Sequence, residues 1–210
     1  MQEFLNSFNV SRETSEKFGI YVDLLTKWNG RINLVAKSTI RDAGQRHILD
    51  SAQLWNYRGD GGTWVDLGSG AGFPGMVLAM INQDQGSPYR HILVESDARK
   101  CAFLRTVSRE TGVAVEIINE RVEDCGNLSA DVISARALAP LSDLLNYTQR
   151  HLKSDGFALY LKGRTCQEEI KEAEQSWAFQ ATLQGSVTDA DAYVLKLQDI
   201  RRATESSVDR

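Results

Sequence analysis

The stretch Val65-Asp66-Leu67-Gly68-Ser69-Gly70-Ala71-Gly72-Phe73-Pro74-Gly75 constrains this chain more than any other. Trp64 to Leu67 reads as a short buried strand with an acid near its tip. The turn that follows has glycine at every second position, and Met76 to Ile81 then forms an apolar run of helical character. Glycine is required where the backbone takes a positive φ, or where it lies against a ligand with no Cβ between them. A strand, a glycine turn and a helix start together make a nucleotide-site signature, because free main-chain N–H groups and the helix dipole gather there.

Two kinds of cofactor use such turns. A dinucleotide site requires Gly-x-Gly-x-x-Gly, with pyrophosphate at the helix N-terminus. Here the third glycine comes one place early, at Gly72, and Phe73 occupies the position where that pattern has glycine. Asp66 stands just before the loop, where a carboxylate repels pyrophosphate but suits a cation. S-adenosylmethionine carries an ammonium and a sulfonium and no phosphate. An acid followed by Gly-x-Gly-x-Gly therefore resembles motif I of the Rossmann-like methyltransferases. A second acid serves either nucleotide: Ile92-Leu93-Val94-Glu95 reads as the next strand, and Glu95 stands where a ribose diol is gripped.

At 210 residues the chain is expected to form one domain with a small appendage. Its apolar runs are far short of a membrane span, and Met1-Gln2-Glu3 does not begin a secretory signal. Cys101, Cys125 and Cys166 are odd in number and widely spaced. They give neither a disulfide framework nor a metal pattern, so a reducing cytoplasm and no metal are expected. The net charge of −4 argues against a generic nucleic-acid binder. It is unevenly spread: residues 1–58 carry +2 and the remainder −6. From Lys27 to Arg58 there are six bases and two acids, so only a local patch is suited to RNA.

Residues 12–29 repeat apolar side chains at helical spacing (Phe18, Tyr21, Val22, Leu25, Trp28), with Ser11 as N-cap and Gly30 as stop. A second helix is expected over 39–57, carrying Arg41, Arg46 and His47. Together they predict an N-terminal helical layer over residues 1–58, joined by Gly59-Asp60-Gly61-Gly62 to a core over 59–200. Strands at 90–95, 114–119, 131–134 and 157–162 alternate with helices at 98–111, 141–152 and 166–177. A terminal hairpin (179–183 and 193–196) and a polar tail over 201–210 complete the chain. The pattern predicts an α/β fold with a mostly parallel seven-stranded sheet, helices on both faces and an antiparallel edge from the hairpin, which resembles the class I S-adenosylmethionine-dependent methyltransferase fold.

Ligands of such sheets sit beyond the C-terminal strand ends. The third strand leads into Glu120-Arg121-Val122-Glu123; in the methyltransferases that the glycine turn resembles, an acid in this loop meets the adenine amino group, which implies Glu123 there and Val122 against the ring. The alternative is a helix-start glutamate serving the dipole. The fourth strand ends in Ser134-Ala135-Arg136-Ala137. Arg136 there either clamps phosphate or base, or forms a structural ion pair with Asp66 or Glu95. The same position excludes two chemistries. Exocyclic amino methyltransferases carry Asn/Asp-Pro-Pro-Tyr/Phe after this strand, and cytosine-C5 enzymes need a cysteine nucleophile; neither is present. A target that is already nucleophilic, such as guanine N7, requires alignment and no general base.

The sequence resembles the bacterial small-subunit ribosomal RNA guanine-N7 methyltransferases, the RsmG (GidB) family. The matching stretches run from about residue 20 to 163. They include Trp28-Asn29, Ile32-Asn33-Leu34-Val35, Arg46-His47-Ile48-Leu49-Asp50-Ser51 and Asp66 to Gly75. They continue with Glu95-Ser96, Lys100, Phe103-Leu104, Arg121-Val122-Glu123, Ser134 to Ala137 and Leu161-Lys162-Gly163. The resemblance implies N7 methylation of a guanine in the 530 loop of 16S ribosomal RNA, with S-adenosylmethionine as donor and S-adenosylhomocysteine as product. It carries donor contacts onto Gly68, Phe73, Val122, Glu123 and Arg136. The reading of the residues adds Asp66, Gly70 and Glu95; Ser69 and Ser96, within the matching stretches, complete the set. Arg136 is expected to position substrate rather than act as a base, and Arg46, His47 and Lys162 to face RNA or a small-subunit particle. The protein is expected to be a monomer. A methyltransferase on another RNA, a protein or a small molecule, a dinucleotide oxidoreductase and an inactive RNA-binding module remain the competing readings.

Overall fold

The computed structural model describes residues 10–203. Expectations for residues 1–9 and 204–210 lie outside them. The first helix, α1 (Arg12–Asn29), begins where expected: the Ser11 side chain accepts from the Thr14 N–H, and Gly30 ends it. Phe18, Tyr21 and Leu25 form its buried stripe.

The helix expected over 39–57 is not a regular one. Its backbone passes through a 3-10 turn (Lys37–Asp42), a wide π turn (Gly44–Leu49), one α turn (Asp50–Ala52) and a second 3-10 turn (Gln53–Tyr57). Burial supplies the reason. His47, Ile48, Leu49, Ser51, Ala52, Gln53, Leu54 and Trp55 are all buried, and a run so nearly continuous cannot share one face of a helix of 3.6 residues per turn. Changing the winding turns successive side chains inward, and π turns of this kind often accompany functional sites.

Seven strands follow: β1 (Gly62–Leu67), β2 (Tyr89–Val94), β3 (Glu116–Ile118), β4 (Ala130–Arg136), β5 (Leu152–Lys162), β6 (Trp177–Gly185) and β7 (Tyr193–Arg202). Their order in the sheet is β3-β2-β1-β4-β5-β7-β6. The first five are parallel, whereas β7 runs antiparallel to both β5 and β6. Between them lie α2 (Gly75–Asp84), α3 (Ala98–Thr111), α4 (Leu141–His151) and α5 (Cys166–Ala173). Several boundaries differ from expectation: β5 begins at Leu152 rather than 157 and β1 at Gly62 within the expected linker, and two others have a clear cause. The helix expected to reach 177 stops at Ala173, because Trp177 is buried as the first residue of β6. Residues 201 and 202, expected in a polar tail, extend β7 and pair with Ala178 and Trp177.

The two faces of the sheet hold separate apolar clusters. Trp64, Leu93, Val132 and Leu159 face α1, the irregular segment, α2 and α3. Val65, Leu67, Ile133, Ala135 and Tyr160 face α4 and α5. Met76 to Ile81 of α2 are all buried, as a helix must be when it lies between a sheet and an outer helical layer. Sheet order reverses at β1, which pairs with β2 on one side and β4 on the other, so Leu67 and Ala135 end side by side. That switch point is where an open α/β sheet leaves a crevice.

Candidate donor and acceptor site

The crevice holds a cavity of about 480 Å³, within the ordinary range for a small-molecule site. Nine of the ten residues expected to contact a donor line it: Gly68, Ser69, Gly70, Phe73, Glu95, Ser96, Val122, Glu123 and Arg136. Leu34, Lys100, Glu120 and Tyr147 line it as well, and no sequence reasoning singled out a role for Leu34 or Tyr147.

Glu95 organises the floor. Its Oε2 accepts the Gly70 N–H at 2.8 Å and its Oε1 accepts the Asp97 N–H at 2.8 Å, so one carboxylate ties the glycine loop to the turn after β2. Asn119 donates to the carbonyls of Glu95 and Ser96, at 3.1 and 3.0 Å, and brings the end of β3 onto the same turn. The glycine loop takes positive φ at Gly68, Gly70 and Gly72. Glu123 accepts from the Tyr147 hydroxyl at 2.8 Å. Its own backbone N–H and that hydroxyl hold its carboxyl below the usual range, which keeps it charged at the rim.

Asp66 is the exception. As a neighbour of Trp64 by strand alternation it points into the α2 face, and it does not line the cavity. It is buried; its Oδ1 accepts from Ser134 Oγ at 2.7 Å, and Ser134 Oγ accepts from Trp64 Nε1 at 3.0 Å. Its carboxylate lies against Gly75, the first residue of α2, where a Cβ would come within 2.8 Å of Oδ2. The expectation of direct contact with a cationic donor is therefore corrected to a buried carboxylate beneath the loop. Burial pushes its pKa up to about 6, against the opposing pull of Ser134, Ser69 and the Gly75 N–H.

Of the residues expected to face RNA, His47 departs from expectation, and Lys162 is largely covered although it lines a second cavity. His47 is buried rather than displayed: its ring stacks on Phe73 with centroids 5.0 Å apart, and its Nε2 lies 2.8 Å from Thr39 Oγ1. The wide turn at Gly44–Leu49 carries that side chain inward. Lys162 is nearly covered, paired with Glu169 at 2.5 Å and donating to the Ala139 carbonyl at 3.3 Å. Arg46 is exposed, and its carbonyl accepts from Arg136 at 3.4 Å.

Phe73 is the hub of the site. Tyr21 stacks on it at 5.1 Å, and the Arg136 guanidinium lies 4.9 Å from its ring centroid. Arg136 pairs with neither Asp66 nor Glu95; its NH1 meets Asp50 Oδ2 at 3.3 Å. Directly after it, Ala137 has a φ of 52°, a backbone strain of the sort that collects at functional sites. The turn so formed, Arg136 to Ala139, separates the first cavity from a second of about 640 Å³. Asp50, Lys162, Glu169 and Tyr193 line that second space, which the sequence did not foreshadow because its walls come from four distant segments.

With this geometry in view, comparison with known proteins decides the family. A family model described as rRNA small subunit methyltransferase G matches residues 14–196. The chain belongs to that family. It is 45% identical to the ribosomal RNA small subunit methyltransferase G of Ruegeria pomeroyi, over 94% of this chain and 97% of the relative. It is 48% identical to the protein of the same name from Paramagnetospirillum magneticum, over 96% of each. Among solved structures, a TehB-like SAM-dependent methyltransferase from Corynebacterium glutamicum superposes with a TM-score of 0.57 at 14% identity, covering 86% of this chain and 98% of that one. At that identity the likeness concerns fold, and it agrees with the class I methyltransferase sheet described above. The family makes the protein an rRNA methyltransferase.

The buried ionisable groups predict opposite responses to acid. His91 is buried against Trp64, with ring centroids 5.8 Å apart, and burial lowers its pKa to about 3. A histidine depressed on folding binds protons better when unfolded, so stability falls as pH drops below 6.5. Asp66 is raised on folding, so the stability it withholds at neutral pH returns as pH falls through about 6 towards 3.8. The two partly cancel in the parent protein. Urea denaturation at pH 7.5 and 5 should therefore show His91→Gln gaining about 2 kcal/mol on the parent over that interval. Asp66→Asn should move the other way. Parallel pH profiles for parent and His91→Gln would mean that the histidine is solvated.

Proposed function

We propose that the protein transfers the methyl group of S-adenosylmethionine to N7 of a guanine in the 530 loop of 16S ribosomal RNA. The observation that carries this reading is the pair of adjoining cavities that share the Arg136–Ala139 turn, with no nucleophile or free general base among the described residues that line both. The residues of the first cavity suit the donor. Its nucleoside requires an acceptor for the ribose diol, and Glu95 supplies one beside the glycine loop. Its adenine requires an apolar wall and a polar edge, and Val122 and Glu123 supply them. Its positive charge is matched by carboxylates at Glu95, Glu120 and Glu123.

The second cavity is the acceptor side. When bound, S-adenosylmethionine supplies an electrophilic methyl carbon; the guanine N7 lone pair forms the new N–C bond as the S–C bond breaks. No proton is transferred, which agrees with what the side chains offer. The His47 imidazole is covered by Phe73, and Cys101, Cys125 and Cys166 are buried, with burial raising each thiol pKa. The chain's part is to align the two reactants and exclude water, which supplies most of the acceleration such a reaction needs. Arg136, lining both cavities, is the residue placed to orient the acceptor, and the exposed Arg46 beside it faces RNA phosphates.

Nucleoside mass spectrometry of 16S RNA from cells lacking the gene tests the reading. One N7-methylguanine should be missing and should return when the gene is restored. An unchanged nucleoside profile would overturn the proposal. In the same assay Arg46→Glu should lower methylation about tenfold, by reversing one phosphate contact, while donor affinity measured by calorimetry stays at the parent value. Equal loss of both would place Arg46 in the fold rather than on the RNA side.

A further inference from the structure

We propose that Asp50 is a positioning residue for methyl transfer: through its ion pair it fixes Arg136 at the boundary between the donor and acceptor cavities. This rests on the reaction proposed above, and it concerns a carboxylate to which that reading gave no role.

Arg136 leaves the end of β4 on a long, flexible side chain and lines both cavities. Left to itself, a guanidinium samples many rotamers, and ordering it carries an entropic cost. Three contacts restrict it here. Phe73 supports its flat face, the Arg46 carbonyl accepts one N–H, and Asp50 Oδ2 accepts at 3.3 Å. Of these, only Asp50 carries a charge. The pair is mostly covered, with side-chain exposures of 18% and 16%, so it is not one of the solvated surface pairs that contribute little.

Asp50 is itself held from two directions. Its Oδ1 accepts from Gln53 Nε2 at 2.9 Å and from Thr188 Oγ1 at 3.0 Å. Gln53 in turn bonds Ser186 Oγ at 3.0 Å and accepts the Val187 N–H at 3.1 Å. The irregular N-terminal segment and the turn between β6 and β7 therefore meet on one carboxylate, and that carboxylate meets the arginine. An unpaired guanidinium at this place would be free to wander over both cavities that it lines. Paired with Asp50, it is held at their shared wall, and its remaining N–H donors serve the acceptor. A displacement of about 1 Å in a reaction driven by alignment lowers the rate on the order of a hundredfold.

The test compares Asp50→Asn, Asp50→Glu, Arg136→Lys and the Asp50→Asn/Arg136→Lys double variant in the full-length protein, with 16S RNA or small-subunit particles as acceptor. Asp50→Asn should lower kcat at least about tenfold, with the parent's melting temperature retained and the KM for RNA changed much less. Asp50→Glu should recover part of the loss. The double variant should be no slower than Arg136→Lys alone, because a residue that acts through Arg136 has nothing further to lose. Full kcat in Asp50→Asn, or losses that multiply in the double variant, would overturn the proposal. A second readout needs no acceptor. In nitrogen-15 spectra the Arg136 Nη1–H, the donor to Asp50, should be protected in the parent and exchange-broadened in Asp50→Asn; an unchanged signal also overturns it. Failure of the parent to methylate the RNA would instead count against the proposed function, and the spectra would still decide the role of Asp50.

Discussion

Replacing Glu95 by alanine is expected to weaken binding of S-adenosylmethionine by about 3 kcal/mol, roughly a hundredfold in Kd. The size follows from three tasks that fall on one buried carboxylate. It accepts the Gly70 N–H, it accepts the Asp97 N–H, and it lines the cavity where the ribose of the donor is placed. Hydrogen bonds to charged groups are worth about 1.5–3 kcal/mol each, so losing a ribose contact alone would account for only part of the effect. The remainder comes from the loop, because without Glu95 the Gly70 N–H loses its partner in the turn after β2, leaving only the Ser69 N–H to the Val94 carbonyl at 3.0 Å, and binding must order the rest. Glu95→Gln separates the two parts. An amide oxygen can still accept from Gly70, so the glutamine variant should retain an intermediate affinity. Calorimetry on both variants measures this directly, and a parent-like Kd in Glu95→Ala would remove the residue from the donor site.

Gly72→Ala is expected to destabilise the fold by about 4 kcal/mol, a large share of the roughly 5–15 kcal/mol that holds an ordinary domain together. Two costs add. Gly72 has a φ of 94°, which side chains rarely adopt and which costs about 1–3 kcal/mol. A Cβ built there would also stand 2.6 Å from the Tyr21 hydroxyl, 2.9 Å from Leu104 and 3.0 Å from Met76. Tyr21 cannot yield easily: it is fully buried, stacked on Phe73, and donates its hydroxyl proton to the Ala71 carbonyl. Overpacking of this kind adds about 1–3 kcal/mol. Gly112→Ala provides the comparison. Gly112 ends α3 at a φ of 65° with nothing within 4 Å of a new Cβ, so only the conformational cost of about 1 kcal/mol applies. Urea denaturation of both variants measures the packing contribution together with the extra strain of the larger φ at Gly72. Equal losses would mean that α1 moves aside without cost.

The same residues show why the glycine loop serves both stability and chemistry. Gly72 lets α1 dock through Tyr21, and that docking places Phe73 under Arg136. An alteration in the outer helix is thus felt at the boundary of the two cavities, through packed rings rather than through the backbone of the core.

How much of this was legible in the sequence depends on the distance over which each feature is determined. The strand, the glycine turn, the acids at 95 and 123 and the alternation of helices and strands were readable, because side-chain period and fixed spacing are local properties. So was the mostly parallel sheet with its antiparallel edge, which follows from the order of those elements; the methyltransferase class came from the resemblance of the acid and glycine turn to a known motif. The irregular winding of 37–57 was not readable, since it is imposed by what buries His47 to Trp55 and not by their helix propensity. Asp66 was assigned to the ligand because it precedes the loop, but strand parity turns it into the α2 face. The partner of Arg136 was sought in Asp66 or Glu95, the acids near it in the motif; the sheet instead brings Asp50 to it across 86 positions of chain. By itself, then, the sequence determined the fold class, the family and nine of the residues that line the first cavity. Tertiary structure alone decided which charges are buried, which are paired and where a second cavity opens, because those depend on contacts between segments that no periodicity relates.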